Sequence, residues 1–132
     1  MKIAVDTNVL VRAVLRDDPE QCRAARKLLE EAALIAVPSP CLCELAWILR
    51  RGAKLPERDV AEVIRALLDT KTVVMDRPAV EAGLTFLEAG GDFADGVIAY
   101  EGKWLGGETF VSFDREAVAF LAKQGELARL LT

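Results

Sequence analysis

Short uncharged apolar runs alternate along this chain with longer stretches of helical periodicity. Residues 3–5 (IAV) predict a short buried strand, and residues 8–15 read as a helix. Asp18-Pro19-Glu20-Gln21 marks a helix start. Asp18 is its N-cap, Pro19 takes the first helical position, and Gln21 closes a capping-box-like pair. That helix should run to about residue 33. The run LIAVPS (34–39) predicts a second strand, broken by Pro38, and a helix over 40–51 follows, ended by Gly52. Pro56 opens a further helix through PERDVAEVIRALLDT, and TVVM (72–75) predicts a strand. Pro78 starts a helix over 78–88, closed by Ala89-Gly90-Gly91. A helix over about 95–105, a strand TFVSF (109–113) ending on Asp114, and a helix over about 115–123 complete the pattern. No repeat, low-complexity segment or linker interrupts it.

The expected strands are short, β-branched and uncharged, and they alternate with helices. That predicts an α/β chain with a parallel sheet covered by helices on both faces. In such sheets ligands sit beyond the carboxyl ends of the strands. Two expected strands end on aspartate, Asp6 and Asp114. If both strands lie centrally, the two carboxylates share one rim. A chain of 132 residues is expected to form a single domain, 1–132, with a core of its own.

Composition narrows the chemistry. With 52% hydrophobic and 29% charged residues the chain is globular in type. Its longest uncharged stretch, 32–43, contains two prolines and is too short to span a membrane. Met1-Lys2 leads directly into the first strand without a signal-peptide pattern, so a cytoplasmic location is expected. Three cysteines, an odd number, argue against a disulfide framework. Cys41 and Cys43 would point about 200° apart on a helix, which does not make a zinc pair. All three cysteines are expected in the core as small hydrophobes. The chain has no histidine, which removes Ser-His-Asp and Cys-His schemes and histidine-bound metals. Acid–base or metal chemistry must therefore come from carboxylates. The net charge of −4 provides no global field for attracting nucleic acid.

Each candidate carboxylate has a structural and a functional reading. Asp6 could cap the helix beginning near Asn8, or hold a cation at the strand end, with Asn8 adding a neutral oxygen or an amide donor. Glu44 is the only charged residue of CLCELAWIL. A helix apolar all round is buried all round, and a carboxylate inside it needs a salt-bridge partner or a metal. Asp92 and Asp95 in GGDFADGVIAY could be an N-cap and a first-turn acid favoured by the helix dipole. Asp95 shares a helix face with Ile98 and Ala99, which should turn it inward. Asp114 could cap the last helix, and Ser112 points to the same side of its strand. Acids too costly to bury separately can share one site when a divalent ion neutralises them. Oxygen-only ligands suit Mg²⁺ or Mn²⁺, whose typical chemistry is hydrolysis or transfer at phosphorus. The basic groups Arg12 and Arg16, then Arg23, Arg26 and Lys27, then Arg50, Arg51 and Lys54 read as solvated faces rather than as nucleic-acid contacts. Trp47 and Trp104 read as core or interface residues rather than as base-stacking platforms.

Four segments together resemble a known family. VDTNVLVR resembles the opening of PIN domains, PSPCLCELAWIL their second motif, DFADGVIAY the third, and FVSFDREAVAFL the fourth. Wording and size are most similar to the toxins of bacterial VapBC-type toxin–antitoxin pairs. The resemblance implies a three-layer α/β/α sandwich with a central, mainly parallel sheet, and a Mg²⁺- or Mn²⁺-dependent endoribonuclease. It further implies a homodimer and a small antitoxin partner that silences the site. The family's acids fall on Asp6, Glu44, Asp95 and Asp114, and its supporting polar positions on Asn8 and Ser112. Gly96 departs from the pattern, which more often has alanine, and should weaken that helix start.

Three other readings compete. A haloacid-dehalogenase-like phosphatase needs a second aspartate where this chain has Asn8. A phosphorylated receiver domain wants a lysine ending a late strand, where this chain has Asp114. A PIN-fold module that only binds RNA or protein would be expected to have lost a carboxylate, and none is lost.

Overall fold

Residues 1–132 are described by a computed structural model. The chain divides into two compact units, Met1–Arg77 and Pro78–Thr132.

The first unit begins with β1 (Lys2–Ala4), α1 (Thr7–Leu15) and α2 (Pro19–Glu31). The side chain of Asp18 accepts a hydrogen bond from the Gln21 amide at 3.1 Å, the cap its spacing predicts. Next come β2 (Leu34–Ala36), α3 (Ser39–Trp47), a π-helical turn (Ile48–Gly52), α4 (Glu57–Leu68) and β3 (Val73–Val74). The three strands form a parallel sheet in the order β1-β2-β3, with Ile3 opposite Ile35 and Ile35 opposite Val73. Pairing runs one step past β1, since the Val5 amide donates to the Ala36 carbonyl at 3.2 Å. Asp6 therefore follows directly on the last tethered residue. The helices seal this sheet with Leu10, Leu42, Leu45, Leu49, Val60 and Ile64, each almost wholly buried.

The second unit contains α5 (Arg77–Glu88, whose first residue lies at the boundary), α6 (Phe93–Trp104), β4 (Phe110–Ser112), α7 (Arg115–Lys123) and β5 (Ala128–Leu130). β4 and β5 pair in parallel, Val111 opposite Arg129. Buried Phe86, Ala117 and Leu121 form its core with Ala99, Phe110, Phe120 and Ala128 packed against them. The Phe86 and Phe120 rings meet edge-to-face at 4.8 Å.

Strands and helices alternate and every strand pairing is parallel, as the apolar pattern predicts. β5 was not expected. Ala128-Arg129-Leu130 lacks β-branched residues, and its strand state comes from pairing with β4 rather than from local preference. The ladders also differ from a single run with both Asp-ended strands inside. β1 is the edge of its three strands, and β4 pairs with β5 alone. No helix is long and apolar enough to cross a membrane.

Gly96 receives a different explanation from a weakened helix start. A Cβ at this position would fall on the Ala82 carbonyl oxygen and 2.8 Å from the Gly83 Cα. The bare Cα lets α6 approach the backbone of α5 directly. The helix itself starts two residues earlier than expected, at Phe93, capped by Asp92.

Candidate active site

In the first unit the site begins where β1 stops. Asp6 has extended backbone and occupies the N-cap position of α1, yet its carboxylate makes no capping hydrogen bond. The capping reading is therefore not realised, and an exposed carboxylate is left free at a strand end. Thr7, the next residue, is 5% exposed and the only buried polar side chain of the molecule. Its hydroxyl donates to Glu44 Oε1 at 3.1 Å. This contact fixes one Glu44 oxygen and leaves Oε2 open.

The surroundings of Glu44 differ from expectation. Cys41, Leu42, Leu45 and Ala46 of α3 are buried, whereas Glu44 and Trp47 are exposed. Because a tryptophan and a cysteine occupy the outward face, α3 looks apolar all round in sequence while retaining a solvent face. Glu44 is thus a surface carboxylate held by a buried hydroxyl. Burial pushes the Cys41 thiol above its ordinary pKa, the Thr7 hydrogen bond opposes this, and the charges of Asp6 and Glu44 add to the rise. Asp6, Thr7, Cys41 and Glu44 therefore form one electrostatic neighbourhood. Cys22 and Cys41 are buried as expected, Cys43 is half-buried, and none of the three forms a disulfide. Asn8 is exposed. The residue that supports an acid in this unit is Thr7, which sequence reading passed over. Its signal was a polar residue three and four positions before Leu10 and Val11, on the buried face of α1.

In the second unit Asp92 caps α6, accepting from the Ala94 amide at 3.0 Å. Asp114 caps α7, its Oδ1 accepting from the Glu116 and Ala117 amides at 2.9 and 3.2 Å. Ser112 Oγ accepts from the Asp114 amide at 2.9 Å, which fixes the turn between β4 and α7. The capping reading of both aspartates is realised, and Oδ2 of Asp114 stays open. Asp95 is different. It is half-buried; its amide donates to the Asp92 carbonyl at 3.1 Å, while its carboxylate makes no hydrogen bond. It lines a pocket of about 360 Å³ with Asp92, Asp114, Phe86, Phe120 and Lys123. Burial pushes its pKa up, and the like charges of Asp92 and Asp114 push it further. The shielding does not come from the Ile98 face as expected, since Ile98 is 58% exposed. It comes from the pocket walls.

No group of three or more Asp, Glu or Cys side chains is placed to hold a metal ion. A closed protein cage is therefore not built. Mg²⁺ does not require one, because it is usually held by one or two carboxylates, several waters and substrate phosphates. The open oxygens of Asp6 and Glu44 in the first unit, and of Asp95 and Asp114 in the second, are of the chemical type that such an ion takes.

Several basic side chains serve the fold. Arg12 pairs with Asp17 at 2.7 Å, Arg26 donates twice to the Ala13 carbonyl, and Arg50 pairs with Glu57 at 2.8 Å. Of the core-or-interface reading of the tryptophans, the core half fails: Trp47 is 62% and Trp104 78% exposed, the latter donating to the Tyr100 hydroxyl at 2.7 Å.

Comparison with curated proteins returns no significant match. The family model described as the PIN domain matches residues 3–122, which takes in all four acid-bearing segments. Parallel strands alternating with seven helices are consistent with the three-layer α/β/α arrangement of that fold. An uncapped aspartate ending β1, a hydroxyl-held glutamate on α3 and an unpaired aspartate on α6 fall within a match covering most of the chain, which belongs to the PIN-domain family, a nuclease-type fold.

Proposed function

We propose that this protein is a Mg²⁺- or Mn²⁺-dependent endoribonuclease that hydrolyses RNA phosphodiester bonds, with Asp6, Glu44, Asp95 and Asp114 as its catalytic acids. The observation that carries the reading is Asp95, a half-buried carboxylate without a hydrogen-bond donor in a pocket shared with two further aspartates. Such a group is unfavourable in the free protein and favourable beside a cation. PIN domains are generally nucleases, which agrees with this chemistry.

When bound, the divalent ion supplies positive charge against the phosphate and lowers the pKa of water. The chain's own residues place the oxygens for it. Asp6 directly follows Val5, the last residue tethered to β2. Thr7 holds Glu44 in one orientation. The N-terminus of α7 holds Asp114 by Oδ1 and Ser112 holds its amide, which leaves Oδ2 without a hydrogen bond. Asp92 serves mainly as the cap of α6 and raises the charge density around Asp95. The resemblance to VapBC-type toxins extends the reading to the toxin of a type II toxin–antitoxin pair. Such a protein would act in the cytoplasm as a homodimer of single-domain chains and be restrained by a cognate antitoxin.

Asp6→Asn tests the assignment. It keeps the size of a side chain that makes no structural hydrogen bond, so the fold should persist. Losing even an outer partner of a metal site costs about 10–100-fold, so removing this carboxylate should slow cleavage of a labelled RNA by about 100-fold or more. Cleavage at the wild-type rate would remove Asp6 from the mechanism.

A further inference from the structure

The buried Thr7 hydroxyl has two partners on α3. It donates to Glu44 Oε1 at 3.1 Å, and it is hydrogen-bonded to the Cys41 thiol. Cys41 and Glu44 lie three residues apart on that helix. Such spacing makes two side chains neighbours on one flank, about 5–6 Å apart at Cβ, so both reach Thr7 at the start of α1. Cys41 is 6% exposed, whereas Glu44 reaches solvent. The three groups thus run from core to surface in the order thiol, hydroxyl, carboxylate.

A hydroxyl has a single proton to give and two lone pairs to receive with. With that proton on Glu44, the Thr7 oxygen meets Cys41 as an acceptor, and the thiol is the donor. The opposite arrangement, with the Thr7 proton turned to a Cys41 thiolate, would take from Glu44 the hydrogen bond that orients it. Burial and the charges of Asp6 and Glu44 disfavour the thiolate, which leaves the hydroxyl proton to the carboxylate. A glutamate free on a helix face loses rotamer freedom when it takes up an ion. One already held does not lose that freedom again, which is how outer partners raise metal affinity.

We propose that Cys41 and Thr7 form a directional hydrogen-bond relay, Cys41 S–H to Thr7 Oγ1 and Thr7 O–H to Glu44 Oε1, which presets Glu44 with Oε2 free for a divalent ion and makes Cys41 a positioning residue of the site. The proposal rests on the reading of Glu44 as a metal-binding acid given above. Both residues act through Glu44, and neither takes part in the hydrolytic chemistry.

The test uses the full-length protein at one fixed pH and two readouts besides activity. Mn²⁺ affinity is read from loss of the free-ion electron paramagnetic resonance signal. The S–H stretching band is read by Raman spectroscopy without metal, that of Cys41 being the band lost in Cys41→Ala. Thr7→Val, which keeps the shape and removes the hydroxyl, should weaken Mn²⁺ binding by about 10-fold and shift the Cys41 band to that of a thiol without an acceptor. Thr7→Ser should restore both. Cys41→Ala should weaken Mn²⁺ binding by a smaller factor, because a thiol is a weak donor, and Cys41→Ser should restore it. In a Thr7→Val background Cys41→Ala should change nothing further, since both act on one path. Wild-type Mn²⁺ affinity in Cys41→Ala, additive losses in the double variant, or a Cys41 band that Thr7→Val leaves in place would each overturn the relay. A wild-type protein that leaves the Mn²⁺ signal unchanged would instead remove the metal reading on which the proposal stands, and the metal-free Raman comparison separates the two failures.

Discussion

Asp95→Asn is expected to reduce RNA cleavage about 1000-fold, equivalent to about 4 kcal/mol of barrier, while making the metal-free protein more stable at neutral pH. The two effects share one cause. Burial and the charges of Asp92 and Asp114 raise the Asp95 pKa in the folded protein. Between the unfolded carboxylate value, about 3.9, and the raised folded value, the native state binds more protons than the unfolded chain. Stability therefore falls as pH rises through that window, and the full penalty is present above it. Asparagine carries no charge and escapes the penalty. In EDTA the variant should melt above wild type at pH 7, and the difference should vanish as pH falls below the unfolded value. Mg²⁺ should raise the wild-type Tm and leave the variant nearly unchanged, because bound ligand stabilises only the state that binds it. Calorimetric scans across pH, with and without metal, read all three. An Asp95→Asn protein that melts lower than wild type at pH 7 in EDTA and still cuts RNA would contradict the role given to this residue.

Gly96→Ala should destabilise the protein by about 2 kcal/mol or more, in the upper range for overpacking. Alanine is worth about 1 kcal/mol over glycine in a helix, so propensity alone predicts the opposite sign. The clash decides the outcome. The new methyl would meet the backbone of Ala82 and Gly83, which cannot rotate away as a side chain would. Gly102→Ala supplies the control on the same helix, since nothing lies within 4 Å of a Cβ there. It should be neutral or stabilising by up to about 1 kcal/mol. Urea melts of the two variants separate packing from propensity. If both rise in stability together, α6 does not need its close approach to α5.

These residues also show which features of the chain were readable in advance. Strand and helix positions followed from uncharged β-branched runs, from the Asp18 cap and from prolines at helix starts, because those signals act locally. β5 was missed because only its pairing with β4 makes it a strand. The candidate acids were singled out by asking what each charge does in an apolar setting. That reasoning held for Asp95, which is half-buried and unpaired. It misjudged Glu44, because Trp47 disguised the solvent face of α3. Asp6 and Asp114 occupy equivalent positions, a strand end before a helix, yet only Asp114 uses its side chain as a cap. Sequence could not separate them, since both fit the same preference. Thr7 escaped notice because it stands between Asp6 and Asn8, two polar residues with a more obvious role at a strand end. Gly96 seemed a weak helix former until the carbonyl it faces was known.

The central claim is that carboxylates and a divalent ion together cut RNA. Its most direct test is to incubate the purified protein, shown by mass spectrometry to carry no bound partner, with total RNA in Mg²⁺, Mn²⁺ or EDTA. The account predicts discrete internal cuts in the two metal arms and none in EDTA. Equal cutting in all three arms, or intact RNA in all three, would contradict it.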